Sequence, residues 1–167
     1  MTFEGVVHGG QASFGARVET RGMFEYAKHQ VTPKWQGPLQ VAFMEIPAGK
    51  SAYPFHWHES VAEVYVILAG RGLVRSSAGE FEVGPGDVAY FPAGASGAHR
   101  MTNIGDEPLR YVDVDSVTNP DICHYPDSGK TGVFTDLGAT MWRSADAVSY
   151  YEGEADAGPS PSAVVTE

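Results

Sequence analysis

The feature that most constrains this chain is the regular punctuation of residues 39–117. Short runs rich in Val, Tyr, Phe and Ile are broken at Pro47-Ala48-Gly49, Glu59-Ser60, Ala69-Gly70, Ala78-Gly79, Gly84-Pro85-Gly86, Pro92-Ala93-Gly94 and Ile104-Gly105-Asp106. Breaks every 6–12 residues or so leave room for strands but not for helices, and no segment sustains three turns of a 3.6-residue apolar period. The pattern predicts strands near 39–46, 52–58, 62–69, 72–77, 80–84, 87–91, 98–103 and 109–117, folded as an all-β sandwich or barrel.

The flanks read differently. Residues 1–38 carry Gly at 5, 9, 10, 15 and 22 and no helical period, which predicts an N-terminal arm with a short strand or two, packed on the barrel or on a partner. Residues 118–151 form a C-terminal extension. Pro, Asp, Ser and Gly crowd 120–132, which reads as a loop, and one more strand or a short helix is expected around Thr140–Tyr151. From Glu152 to Glu167, Pro, Ser, Ala and acidic residues predict a disordered tail.

Charge and length exclude several classes of function. The chain of 167 residues is one domain's worth, with a formal charge of −10. Five acids and no base follow Arg143, leaving 16 acidic against 11 basic residues in 1–143. A broad cationic surface for nucleic-acid phosphates is not expected. The longest apolar run, Val64–Gly70, is seven residues, against the roughly 20 that span a bilayer. The first residues lack the charged and apolar regions of a signal peptide. Cys123 is the sole cysteine, which precludes an intramolecular disulfide, and a cytoplasmic protein is the expectation.

Chemistry concentrates in two stretches. In Phe55-His56-Trp57-His58-Glu59-Ser60-Val61-Ala62-Glu63, two histidines two apart on a strand share a face, with Cα atoms roughly 6–7 Å apart. Their imidazoles can converge on one ion about 2 Å from each nitrogen. A turn at Glu59-Ser60 lets the next strand return with Glu63 beside them. The second stretch runs from Gly86 through Pro92-Ala93-Gly94 to a strand beginning near His99. A third imidazole there completes a three-His, one-carboxylate set for a divalent ion, with positions open for water, dioxygen or substrate.

These motifs resemble those of the cupin superfamily, in particular its small single-domain, metal-binding bacterial members. The first motif matches Gly49, His56, His58, Glu63 and Gly70, with one extra residue between Gly49 and His56; the second matches Gly86, Pro92, Gly94, His99 and Asn103. Four residues separate Gly94 from His99 where the common form has two. The resemblance covers residues 39–117 or so, and Tyr125-Pro126-Asp127-Ser128-Gly129-Lys130 also looks like a run seen in such bacterial proteins. It implies a double-stranded β-helix (jelly-roll) barrel holding one divalent transition metal ion (Fe, Mn, Ni or Zn) on His56, His58, Glu63 and His99, and a homodimer.

Other residues admit two readings each. Tyr65 shares the parity of Glu63, and Met101 and Asn103 that of His99; each lines a pocket or simply fills the core. In Arg110-Tyr111-Val112-Asp113-Val114-Asp115-Ser116 the alternation turns Asp113 and Asp115 to solvent; the other reading sets a carboxylate at the barrel mouth as general acid or base. Arg75, Arg100, Arg110 and Lys130 are surface charges or hold an anionic substrate. Trp57 alternates away from the metal face, Glu59 is solvated in its turn, and Cys123-His124 lies in a loop. His8, His29 and His124 read as structural or surface residues.

The expected activity is a metal-dependent enzyme acting on a small oxygen-rich or carboxylated molecule, of dioxygenase, isomerase, lyase or decarboxylase type. Tyr65, Asp113 or Asp115 would move protons, and Met101, Asn103 or Arg75 would contact substrate. The competing reading is a metal-containing cupin that binds or senses a small molecule without catalysis. Neither nucleic acid nor membrane is an expected partner.

Overall fold

A computed structural model describes residues 6–12 and 18–154. Their strands in chain order are β1 (Val18–Arg21), β2 (Phe24–Gln30), β3 (Leu39–Ile46), β4 (Trp57–His58), β5 (Glu63–Ala69), β6 (Gly72–Ser76) and β7 (Gly79–Val83). Then come β8 (Val88–Phe91), β9 (His99–Asn103), β10 (Leu109–Ser116), β11 (Asp121–Tyr125), β12 (Lys130–Thr135) and β13 (Gly138–Arg143). The remaining regular elements among the described residues are single 3-10 turns, so the fold is all-β. Among the described residues no helix is long and apolar enough to cross a membrane.

Three antiparallel sheets close the structure: β1-β2-β3-β10-β5-β8, β7-β6-β9 and β13-β12-β11-β4. The core lies between the first two. Met44 and Ile46 of β3, Tyr65 and Ile67 of β5, and Leu109 and Tyr111 of β10 meet Val74 of β6 and Met101 of β9. Gly70 permits the tight β5–β6 turn: its φ is +85°, and an added Cβ would come within 2.7 Å of the Leu109 backbone. A side chain would open the sheet at that point.

The register of β10 explains where the site sits. Tyr111 lies opposite Met44 and Ile67, Asp113 opposite Ala42 and Tyr65, and Asp115 opposite Gln40 and Glu63. One inward face therefore grades from wholly apolar at Leu109 to acidic at Asp115. A jelly roll with one packed end and one polar end is the outcome.

The structure corrects two expectations and resolves a third. The strand near 52–58 is reduced to Trp57–His58, preceded by isolated bridges at Ser51–Thr102 and His56–His99. Pro54 lacks the N–H a ladder needs, so the chain crosses between sheets there instead of pairing continuously. The segment 120–132 is not a loop: β11 and the start of β12 occupy it. The only turn inside it is a 3-10 turn at Pro126–Ser128, which joins β11 and β12 as a hairpin. The element expected near 140–151 is a strand, Gly138–Arg143, followed by a single 3-10 turn at Ser144–Asp146. At the other end, β2 pairs with β3 and so extends the six-stranded sheet. Residues 155–167, most of the expected tail, lie outside the described residues.

Candidate metal centre

Two of the four expected ligands are paired by a single backbone bridge. His56 and His99 form a bridge, His56 N–H donating to His99 O at 3.0 Å and His99 N–H to His56 O at 2.8 Å. That pairing holds the two rings with centroids 4.7 Å apart. His58 lies on the same face, 5.1 Å from the His56 ring, while Trp57 points the other way and stacks on His124 at 4.1 Å. Glu63 opens β5 between Asp115 of β10 and Phe91 of β8. Glu59 is not merely solvated: its Oε1 accepts from His124 Nε2 at 2.8 Å.

The two additional residues before His99 are taken up by the 3-10 turn Ala95–Gly97. Gly94 N–H donates to His58 O at 2.7 Å, tying that turn to the first motif. Gly97 has to be glycine, because a Cβ there would lie 1.8 Å from Pro92 O. Emerging from the turn, the His99 ring stacks on Phe91 at 3.7 Å with 8° between planes.

Every one of the three imidazoles has its Nδ1 already engaged. His56 Nδ1 donates to Pro54 O at 2.9 Å, His99 Nδ1 to Gly97 O at 2.9 Å, and His58 Nδ1 to Asp121 Oδ2 at 2.8 Å. With the proton on Nδ1, the lone pair is on Nε2, the tautomer a metal ligand needs. His58 Nε2 and His99 Nε2 approach Glu63 Oε2 at 3.5 and 3.3 Å. Donor atoms of His56, Glu63 and His99 all lie within 4.8 Å of one another. Imidazole nitrogens and one carboxylate at that spacing, with their outer nitrogens anchored, suit a divalent transition ion.

Burial tunes these groups. It drives His56 well below the ordinary imidazole value, with His99 and His58 adding to the effect, and holds His99 down at about 4. For His58 the loss of solvent pulls downward, but the Asp121 hydrogen bond and Glu63 outweigh it and the net shift is upward. Glu63 is pushed up to about 7, mainly by burial. Burial also keeps the Tyr65 phenol protonated. Its hydroxyl stands 3.1 Å from His99 Nε2 and 3.3 Å from Glu63 Oε1.

A cavity of about 180 Å³ opens onto this cluster. Asp113 and Asp115 line it, so the solvent-facing reading of the pair is wrong: Asp113 is 2% exposed. Lys28 from β2 reaches Asp113 Oδ2 at 3.1 Å. Asp115 is pushed up to about 9, first by burial and then by the Asp113 charge. Met101 is in the apolar core. The Asn103 amide donates to Ile46 O and Glu107 O, and its Oδ1 accepts from Gly105 N–H, so it braces a turn. Arg75 lies outside the cavity, over the Phe55 ring and paired with Asp127 at 2.6 Å.

Lys28, Tyr53, Asp121, Cys123 and Tyr125 also line the cavity, and none was anticipated there. Three of them carry a readable signal: Asp121, Cys123 and Tyr125 alternate on one face of β11. Cys123 lies on that strand, paired with His58, and not in a loop; burial pushes its thiol up to about 12.

Known proteins share this fold. Residues 42–115 match the family model described as a cupin domain. The barrel has the double-stranded β-helix fold of cupins. A sugar phosphate isomerase of the cupin superfamily from Silicibacter pomeroyi superposes with a TM-score of 0.68 at 20% identity, over 75% of this chain and 81% of that one. A predicted oxalate decarboxylase from Thermotoga maritima gives 0.59 at 25% identity, over 68% of this chain and 99% of that one. A glucose-6-phosphate isomerase from Pyrococcus furiosus is 36% identical over 89 residues, 46% of each chain. The chain spans about half the length of the curated relatives it matches.

Proposed function

We propose that His56, His58, Glu63 and His99 hold one divalent transition metal ion, and that this cupin is an enzyme moving a proton between neighbouring carbons of a small oxygen-rich molecule. The observation that carries the reading is the pair Asp113 and Asp115, set on the cavity wall beside the ligand cluster, where donor oxygens of Glu63, Asp113 and Asp115 lie within 4.8 Å of one another. When bound, the ion would polarise a substrate carbonyl and so acidify the adjoining C–H.

The chain's own groups do the rest. One carboxylate of the pair takes the proton from carbon, and its neighbour, protonated, gives one to the carbonyl oxygen; the reverse exchange at the adjoining carbon completes an isomerisation. Lys28 holds Asp113 in place through its ion pair. Tyr65 donates its hydroxyl to Glu63 Oε1, and Tyr53 and Phe134 on the cavity wall limit water. Isomerase names among the relatives agree with this chemistry, although the matched region is only part of those proteins.

The test is solvent exchange. Metal-loaded protein incubated in D2O with small hydroxy-aldehydes should introduce deuterium at the carbon next to the carbonyl, read by NMR. His56→Ala with His99→Ala should lose both the metal and the exchange, and Asp113→Asn should keep the metal and lose the exchange. Oxygen consumption without exchange would assign the site to oxygenation instead.

A further inference from the structure

The cavity wall carries a second message, independent of the metal ligands. Asp113 Oδ1 and Asp115 Oδ1 are buried and have no hydrogen-bond partner. Asp113 is almost wholly enclosed, and its other oxygen is already taken by Lys28. Buried polar atoms without a partner are uncommon in folded proteins, and two of them lining one cavity mark a place for a polar ligand. The cavity is also acidic. Glu63, Asp113, Asp115 and Asp121 line it, and Lys28, already paired, is the single lysine or arginine among the described lining residues. Arg75, the cation that could have received an anion, is committed to Asp127 on the outside.

Resting on the reading above, we propose that Asp113 and Asp115 select an uncharged polyhydroxylated substrate by hydrogen-bonding two of its hydroxyls, which can both donate and accept, and that they reject phosphorylated or carboxylated counterparts. The phosphate group of an ester, ionised at neutral pH, offers no donor where a hydroxyl did and brings negative charge into a cavity lined by four carboxyl groups. The substrate class thus differs from what the names of the sugar phosphate isomerase and glucose-6-phosphate isomerase relatives indicate for those proteins. Within this chain the selectivity belongs to Asp113, Asp115 and Lys28, supplied by β10 and β2, and not to the four residues expected to hold the ion.

The experiment uses the full chain loaded with one equivalent of zinc, metal content being measured first. Binding of glyceraldehyde, erythrose and xylose, and of their terminal phosphates, is followed by saturation-transfer NMR. The neutral compounds should bind at least tenfold more tightly than the phosphates. Asp113→Asn, which turns one acceptor into a donor, should narrow that ratio severalfold while zinc stoichiometry stays at one. Asp115→Asn, checked for folding by circular dichroism, provides the same reading should the first variant fail to fold. Phosphates binding as tightly as or more tightly than the neutral sugars would overturn the proposal, as would a second equivalent of zinc held by Asp113 and Asp115. In either case the metal-dependent reading of His56, His58, Glu63 and His99 would stand; failure to bind any zinc would remove that reading first.

Discussion

At the scale of single residues, the ligand set depends on what stands behind it. Asp121 accepts from His58 Nδ1 at 2.8 and 3.1 Å, fixing both ring orientation and tautomer. Asp121→Asn keeps the shape but weakens the acceptor, and metal affinity should fall about 10–100-fold, measured by competition with a chromophoric chelator. Asp115 makes a different prediction. Its carboxyl titrates near 9 in the folded chain against 3.8 when exposed, with burial as the main cause. The folded state therefore retains a proton that the unfolded chain releases across that interval. The stability this group contributes is fully present below about pH 4 and is lost as pH rises through 9. In chelated protein, Asp115→Asn should raise Tm relative to the parent increasingly from pH 4 to pH 9, by several degrees at the upper end. Calorimetry across that range checks it; a constant difference would mean that Asp115 titrates normally.

At the scale of elements, the turn Ala95–Gly97 and the strand β11 decide how far the barrel becomes a site. Because a Cβ on Gly97 would strike Pro92 O, Gly97→Ala must displace either the turn or the start of β9. The expected cost is about 2 kcal/mol or more, with reduced metal content because His99 moves with the strand. Denaturant melts and metal analysis of one preparation would separate the two effects. Strand β11 pairs with only two residues of β4, yet through Asp121, Cys123 and Tyr125 it supplies one side of the cavity. The C-terminal extension is thus part of the site's wall.

At the scale of the whole molecule, the proposed ion would join β4, β5 and β9, elements of all three sheets. An ion that binds only the folded chain stabilises it by about 2.7 kcal/mol at a free concentration 100-fold above Kd. For a chain of this size that corresponds to a Tm higher by roughly 5–10 °C, so chelation should lower Tm by that amount and restoring the ion should recover it. The same titration on the His56→Ala, His99→Ala protein should show no shift.

The sequence by itself determined the strand-and-turn rhythm of 39–117 and the two histidine motifs, because both are local. Alternation puts His56 and His58 on one face, and glycine or proline at fixed offsets turns the chain. It also determined that Asp113 and Asp115 share a face, but not that this face points inward. Counting apolar residues favoured Val112 and Val114 as the buried pair. The register of β10 with Met44, Tyr65 and Ile67 decided otherwise, since the core follows Leu109 and Tyr111 and carries the two aspartates in with them. Lys28, Asp121 and Cys123 likewise reach the cavity from strands 30 to 65 residues away from His58 in the chain. No local period encodes such an approach. Only the closing of the barrel, in which long-range pairing selects which face is inside, made these residues neighbours.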